Sequence, residues 1–330
     1  MPETVSVIIP AFNAARTLPQ TLAALRAAIP PPLEIIVVDD GSTDETARVA
    51  AEGGARVVRL EKNIGAAAAK NRGAAIARGA ILFFTDADIA APPDAIALIQ
   101  NALRDAATDG VVGLLDENIP HANWASQYKN LWMNFTYARF VGAERIGLFY
   151  TSVAAIRRDL FLQLGGFDEN YRGASIAEDT EFGQRAWGSG SVIRLEPALR
   201  VIHLKQYTLA NVLREDFKRA RALTLMRLRK RGEPFFTSVP SFYQLAVPTI
   251  YLTGILGFAA LVLRNFTLGI AAFVGLGAFW ALNFALFNFL AQKRGLRFAL
   301  RAALFLPLDV LVVGLGMLRA FFDFARGKRY

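Results

Sequence analysis

From residue 5 to residue 85, short apolar runs alternate with segments of helical period. Val5–Ile9 is stopped by Pro10, and Leu33–Val38 and Ile81–Thr85 are runs of the same kind. A short apolar run bounded by turn-forming residues reads as a buried strand, and Arg56–Leu60 reads as a fourth. Between them, Thr17–Ile29 carries apolar residues at helical spacing and is stopped by three prolines at 30–32. Thr43–Ala51 and the alanine-rich Gly65–Arg78 read as two more helices. Strands alternating with helices predict an α/β domain, a mostly parallel sheet with helices on both faces. In such sheets ligands bind beyond the carboxyl ends of the strands.

Polar clusters sit at those ends: Asn13, the pair Asp39-Asp40 before Gly41-Ser42, and Asp86 and Asp88 after the strand Ile81–Thr85. Strand geometry sends residues i and i+2 to one side, so an extended chain through Ala87 brings both carboxylates into one small volume. Like charges that close call for a positive partner. The other reading is a turn in which each acid is solvated or caps the next helix.

Between Gly110 and Val201 the pattern is mixed, with a loop-rich aromatic stretch over 121–150 and a helix over 157–164. The turn GGFDE follows at 165–169, and Glu178, Asp179 and Glu181 open another helix, where acids suit the helix dipole. Ser191–Leu195 and Leu199–His203 read as strands. From Arg214 to Arg231 the chain has eight Lys/Arg against two acids, interleaved with Phe217, Leu223, Leu225, Met226 and Leu228. That is a basic amphipathic helix suited to an anionic lipid surface.

Beyond it, Phe235–Leu263 carries no charged residue, nor does Asn265–Gln292, while a third apolar segment, Ala302–Leu318, is interrupted by Pro307 and Asp309. A bilayer needs about 20 apolar residues per helix. The expected organisation is a head at 1–213, an interface helix at 214–234 and a transmembrane region at 235–330, with clear spans near 243–263 and 266–290 and a third near 302–322. Lys293, Arg294, Arg297 and Arg301 place the turn after the second stretch in the cytoplasm. The N-terminus carries no secretory pattern, so the head is expected there too. Three full spans would put the basic ending from Arg319 to Tyr330 on the far side; either the charge rule is broken or the third segment dips in and returns.

Composition narrows the chemistry. Of the 330 residues 54% are hydrophobic, and there are no cysteines, which excludes disulfides, thiolate metal sites and cysteine nucleophiles. The net charge of +9 fits nucleic acid, anionic lipid or an anionic substrate. The basic residues concentrate beside the apolar spans, so lipid is the expected partner and nucleic acid is not.

In chain order, VSVIIPAFN, EIIVVDDGSTDET, NIGAAAAKNRG, ILFFTDADI, GGFDENY, AEDTEF and VIHLKQYT resemble the motifs of the family 2 glycosyltransferases, enzymes of the GT-A fold, over roughly residues 4–210. The resemblance implies a nucleotide-sugar donor, a UDP- or GDP-sugar, whose diphosphate is neutralised by Mg²⁺ or Mn²⁺. Asp88 matches the direct metal ligand, with Asp86 beside it, and His203 a further metal or phosphate contact; a lone histidine is also often structural. Asp40 matches the aspartate that accepts from the nucleobase, Asp39 supports that loop, and Pro10, Phe12 and Asn13 shape the base and ribose pocket. Ser42 or Asp44 also suits a helix cap, and both roles are compatible. Lys70 and Arg72 either reach the diphosphate or form a solvated face. Asp179 matches the catalytic base that takes the acceptor's proton, assisted by Glu178, and a single base with direct attack inverts the anomeric centre.

Processive relatives such as cellulose and hyaluronan synthases carry a QxxRW motif. Here Gln184-Arg185-Ala186-Trp187 is one residue short and lies close behind the acid pair, so it reads as plain helix. The expected protein is a membrane-anchored, metal-dependent, inverting glycosyltransferase of the bacterial inner membrane, its head cytoplasmic, acting on a hydroxyl of a lipid-linked or membrane-proximal acceptor in cell-envelope glycan or glycolipid synthesis. The alternative is a polyprenyl-phosphate glycosyltransferase of the dolichol-phosphate-mannose-synthase type, whose phosphate nucleophile needs no base. A noncatalytic membrane scaffold is disfavoured by the intact Asp40, Asp86, Asp88 and Asp179.

Overall fold

The computed structural model describes residues 3–171 and 177–330. The four strands read from the apolar runs are present as β1 (Val5–Ala11), β2 (Glu34–Asp39), β3 (Arg56–Arg59) and β4 (Ile81–Thr85), with helices α1 (Leu18–Arg26), α2 (Thr46–Glu52) and α3 (Ala66–Ile76) between them. They pair in parallel, β1 lying between β2 and β4. After the two acids come a short β5 (Ile89–Ala90), α4 (Ala95–Ala102) and β6 (Gly110–Leu115); α5 is Trp124–Ala138, β7 is Val153–Arg157, α6 is Arg158–Gln163, α7 is Glu178–Gly188 and β8 is Ile193–His203. The sheet order is β3-β2-β1-β4-β7-β6-β8-β5. β7 runs antiparallel to both of its neighbours, β6 and β8 are parallel, and β5 is antiparallel to the end of β8. This is the mostly parallel, GT-A-like sheet expected from the sequence.

Two details of β1 and β2 follow from backbone chemistry. Pro10 lies inside a central strand, where its missing N–H would normally break a ladder. Ile81 N–H donates to Thr4 O at 3.0 Å and Leu33 N–H to Val5 O at 2.8 Å, so even-numbered residues of β1 face β4, whose pairing ends at Ile8. Pro10 therefore removes no bond. Gly41, after β2, has φ +71°, and a Cβ there would lie 2.6 Å from the Lys62 carbonyl carbon. Only glycine suits that left-handed, closely approached turn.

The chain divides into two units. The first comprises residues 1–122, 137–206 and 232–236 and contains the sheet. Phe84, Phe149, Phe161, Phe167 and Phe182 form one aromatic core there, with ring centroids 4.8–6.2 Å apart. Gln184 to Trp187 lie within α7, and the Gln184 side chain pairs with both backbone groups of Phe236, each at 2.9 Å.

The second unit comprises residues 123–136, 207–231 and 237–330. It holds most of α5, in the stretch that reads as loop from sequence, together with α8 (Leu209–Arg229), α9 (Ser241–Val262), α10 (Phe266–Leu282), α11 (Phe284–Arg294) and α12 (Leu296–Ala325). The apolar side of α8 is not bare: Leu225 and Met226 are buried, and the helix packs along α12. At the crossing, Gly316 lets the chains approach so closely that a Cβ would lie 2.5 Å from the Phe217 carbonyl oxygen. α9 and α12 are each long and apolar enough to cross a membrane. The second apolar stretch is two helices, α10 and α11, bent by 56° at Asn283, whose buried amide donates to Phe279 O at 2.8 Å. The third stretch, despite Pro307 and Asp309, is one continuous helix of 30 residues.

Candidate active site

The acids of the sequence motif lie where β4 ends, and the chain turns there at once. Thr85 is the last residue of β4, and Ile89 is already paired with His203 at the end of β8. Leu204 N–H donates to the Asp88 carbonyl at 2.7 Å, which ties this turn to the strand. His203 Nε2 thereby stands 3.6 Å from Asp88 Oδ2. Asp86 turns the other way and accepts a hydrogen bond from Ser152 Oγ. No motif in Tyr150-Thr151-Ser152 marked this partner; only the antiparallel entry of β7 brings it to the end of β4.

The two carboxylates are driven apart electrostatically. Burial pushes Asp86 above its ordinary value and the charge of Asp88 adds to that, over the opposing pull of Lys70. Burial would raise Asp88 as well, but the hydrogen bond and charge of His203, with Lys205 behind them, outweigh it and hold Asp88 below its ordinary value.

Lys70 is not on a solvated face. It is buried beneath α7, with Nζ 2.6 Å from Thr151 Oγ1 and 3.0 Å from Glu178 Oε1, over the Phe167 ring. Burial alone would lower the ammonium, but Glu178, Asp86 and Asp179 together outweigh it and hold the group above the ordinary lysine value. One buried cation therefore feels acids from the end of β4 and from the first turn of α7. Glu178 is buried with Lys70, whereas its neighbour Asp179 is half-buried, and its Oδ1 accepts from the Thr180 N–H at 2.6 Å. Arg72 is exposed on the far side of α3.

Asn71, next to Lys70, escaped the sequence reading. Its side chain pairs like a backbone amide with Phe167, accepting from Phe167 N–H at 2.9 Å and donating to Phe167 O at 2.8 Å. Arg185 of α7 holds the same turn by donating to Gly166 O at 2.5 Å. The GGFDE turn is thus clamped from both sides, directly before the segment that leads into Asp179.

At the ends of β1 and β2 the DDGS residues have distinct partners. Both carboxylate oxygens of Asp40 are taken by backbone N–H groups at the start of α3, Ile64 at 2.8 Å and Gly65 at 3.0 Å. Asp39 accepts from Ser42 N–H at 2.9 Å through Oδ1, while its buried Oδ2 has no hydrogen-bond partner and faces Arg59 at 3.6 Å. Asn13, at φ +51°, accepts from Thr43 N–H at 2.9 Å and joins the two loops. Phe12 beside it is half exposed, and Pro10 lies in the strand beneath. Ser42 and Asp44 both act as loop staples, accepting from Asn13 N–H and Thr46 N–H.

Among the described residues, no three His, Asp or Glu side chains stand close enough to form a closed metal cage. The donor set still fits a divalent ion. Ligands at right angles on an octahedral ion lie about 3 Å apart, comparable with the 3.6 Å between Asp88 Oδ2 and His203 Nε2. Carboxylate and imidazole together suit Mn²⁺, with open positions left for phosphate oxygens.

Residues 6–165 match the profile of Glycosyl transferase family 2. The chain is 42% identical over 92 residues to the succinoglycan biosynthesis protein ExoU of Rhizobium meliloti (strain 1021), covering 26% of this chain and 27% of that protein. It is 34% identical over 137 residues to an undecaprenyl-phosphate 4-deoxy-4-formamido-L-arabinose transferase of Pseudomonas fluorescens (strain SBW25), covering 38% and 40%. The matched stretches thus span less than half the length of these curated relatives. Among solved structures, the mannosyltransferase PcManGT from Pyrobaculum calidifontis, in complex with GDP-Man and Mn²⁺, shares the fold with a TM-score of 0.58 at 22% identity, over 96% of this chain and 88% of that one. With the sheet, the ordered motifs and the matched profile in agreement, this chain carries a family 2 glycosyltransferase domain of GT-A type, followed by apolar helices that could cross a membrane.

Proposed function

We propose that this protein is a metal-dependent, inverting glycosyltransferase, anchored in the bacterial inner membrane, that moves a sugar from a UDP- or GDP-sugar to a hydroxyl of a lipid-linked acceptor in cell-envelope glycan or glycolipid synthesis. The observation that carries the reading is that Asp86 at the end of β4, and Glu178 and Asp179 in the first turn of α7, act together on the buried cation Lys70, with Asp88 two residues beyond Asp86.

Each residue has a defined task in this account. Asp88 and His203 would hold Mg²⁺ or Mn²⁺, with Asp86 beside them; when bound, the ion neutralises the donor's diphosphate and makes the nucleoside diphosphate a better leaving group. Asp40, each of whose oxygens accepts one backbone N–H and keeps a free lone pair, makes the base contact, while Asp39, held by Ser42 N–H and facing Arg59, supports that loop. Phe12 and Asn13 line the base and ribose side above Pro10. Asp179 takes the proton of the acceptor hydroxyl as its oxygen bonds to the anomeric carbon and the bond from that carbon to the diphosphate oxygen breaks. Lys70, engaged by Glu178 and Thr151, orients the acid cluster instead of gripping phosphate.

The second reading, a polyprenyl phosphate as acceptor, draws on the undecaprenyl-phosphate transferase among the relatives. A phosphate oxygen is already ionised and needs no base, so the division of labour between Glu178 and Asp179 favours a hydroxyl. The first test is donor consumption by the purified full-length protein across a panel of nucleotide sugars. One UDP- or GDP-sugar is expected to be consumed with Mn²⁺ or Mg²⁺ and spared with a chelator; consumption indifferent to the chelator would remove the metal from the mechanism.

A further inference from the structure

The helices of the second unit differ in what covers them. α5, α8, α11 and α12 make one layer. Trp124 and Tyr128 pack their rings on Phe305 of α12, Phe135 meets Phe289 of α11, and Arg294 Nε donates to Gln127 Oε1 at 2.8 Å. Along α8, Arg221 Nε donates to Asp323 of α12 at 2.6 Å, and the Arg229 guanidinium lies 4.1 Å from the Tyr330 ring centroid. With Gly316 against Phe217, the C-terminal half of α12 is therefore laid along α8.

α8 carries Arg214, Glu215, Asp216, Lys218, Arg219, Arg221, Arg227 and Arg229. Charges at that density are excluded from hydrocarbon. A helix laid along α8 shares its depth, so the C-terminal half of α12 is excluded with it. Leu300, Leu304, Leu308, Leu315, Leu318 and Phe322 of α12 are exposed along one row, while Asp309 and Asp323 are buried on the opposite side. One apolar row backed by charge is the pattern of a helix lying in the interface plane, whatever its length.

α9 and α10 are tied to this layer midway along α9, where Tyr251 OH donates to Leu311 O at 2.8 Å, and near the end of α10, where Trp280 Nε1 donates to Ala303 O at 3.2 Å. Further out they are bare: Phe258 is 71% exposed, Leu261 80%, Phe266 83% and Phe273 76%. From Leu245 to Val262 α9 extends roughly 27 Å, and the 17 residues of α10 roughly 25 Å, at about 1.5 Å per residue, against a hydrocarbon thickness of ~30 Å. We infer that α9 and α10 are a hairpin crossing the lipid bilayer twice, whereas α12 lies flat in the interface on the side of α8, so that the chain ends on the side from which it entered.

Charge supports the same arrangement. The hairpin turn carries Arg264 alone, whereas the basic groups near Arg294 and those from Arg319 to Arg329 all fall on the α8 side, which also carries the cations suited to anionic headgroups. A third crossing would send the last group to the far side. This inference rests on the second unit alone and stands whether or not the proposed reaction is correct.

The absence of cysteine makes the test direct. Single variants Ala210→Cys at the start of α8, Asn265→Cys at the hairpin turn and Ala325→Cys at the end of α12 are made in the full-length protein and exposed to a membrane-impermeant maleimide in right-side-out and inside-out vesicles. Phe266→Cys, which keeps the Asn265 cap of α10, repeats the turn position. Labelling of 210 and 325 from one side, and of 265 or 266 from the other, is expected. Labelling of 325 from the side opposite 210 would overturn the inference in favour of a third crossing. Labelling of the turn from the α8 side would reduce the hairpin to a dip, and release of the protein by a carbonate wash would show that a second copy, not lipid, covers the hairpin.

Discussion

Replacing Asp179 by Asn is expected to lower turnover by about a hundredfold to ten-thousandfold, the range a positioned general base supplies, with donor affinity close to that of the unaltered protein. Two adjacent acids open α7 and have different surroundings. Glu178 is buried against Lys70 at 3.0 Å, whereas Asp179 is half-buried and engages its own helix through Oδ1. An asparagine side chain keeps a carbonyl oxygen for the Thr180 N–H, so the helix start survives while the basicity is lost. Steady-state kinetics on a hydroxyl acceptor, with calorimetry of donor binding, separate the two effects. Undiminished turnover would transfer the reaction to an acceptor that needs no base, a lipid phosphate.

Asp88→Asn is expected to weaken metal-dependent donor binding by at least tenfold to a hundredfold, the range reached by residues that merely support metal ligands. Asp88 Oδ2 stands 3.6 Å from His203 Nε2, so the carboxylate is already placed beside a nitrogen donor, whose hydrogen bond and charge hold it below its ordinary value against the effect of burial. Asp86 is occupied by Ser152 and shifted the other way. Calorimetry of a nucleotide sugar with and without Mn²⁺, on protein whose circular dichroism is unchanged, reads the effect. Equal donor affinity in the variant, or affinity in the unaltered protein that ignores a chelator, would contradict the assignment.

The first half of the sheet was legible because β1, β2 and β4 are mostly apolar runs, and a run that short between turn formers leaves little choice, with β3, Arg-Val-Val-Arg, read from its place in the alternation. β6 and β7 were not, since Gly110–Leu115 and Val153–Arg157 sit in a mixed pattern and β7 enters antiparallel, against the rhythm of the preceding units. α5 was hidden by its polar residues: Lys129, Asn130 and Asn134 are buried, and Lys129 pairs with Asp216, a partner no local pattern reveals. The burial of Lys70 was hidden for the same reason, because Glu178 lies 108 residues away in sequence and only the fold buries the two together. The acids at the end of β4 were legible as a pair, but their opposite shifts depend on Ser152 and His203, which come from β7 and β8. In the tail, hydropathy marked the apolar lengths; it gave no sign of the bend at Asn283 or of the charged helix lying against α12.

Inverting transfer to a hydroxyl is read out in the product itself, by nuclear magnetic resonance of what the full-length protein forms from a donor of known anomeric configuration and an acceptor lipid that offers both a hydroxyl and a phosphate. The expected product has the opposite anomeric configuration, is linked through the hydroxyl oxygen and forms only when Mg²⁺ or Mn²⁺ is present. Retention of configuration, or a sugar linked through the phosphate, would contradict it.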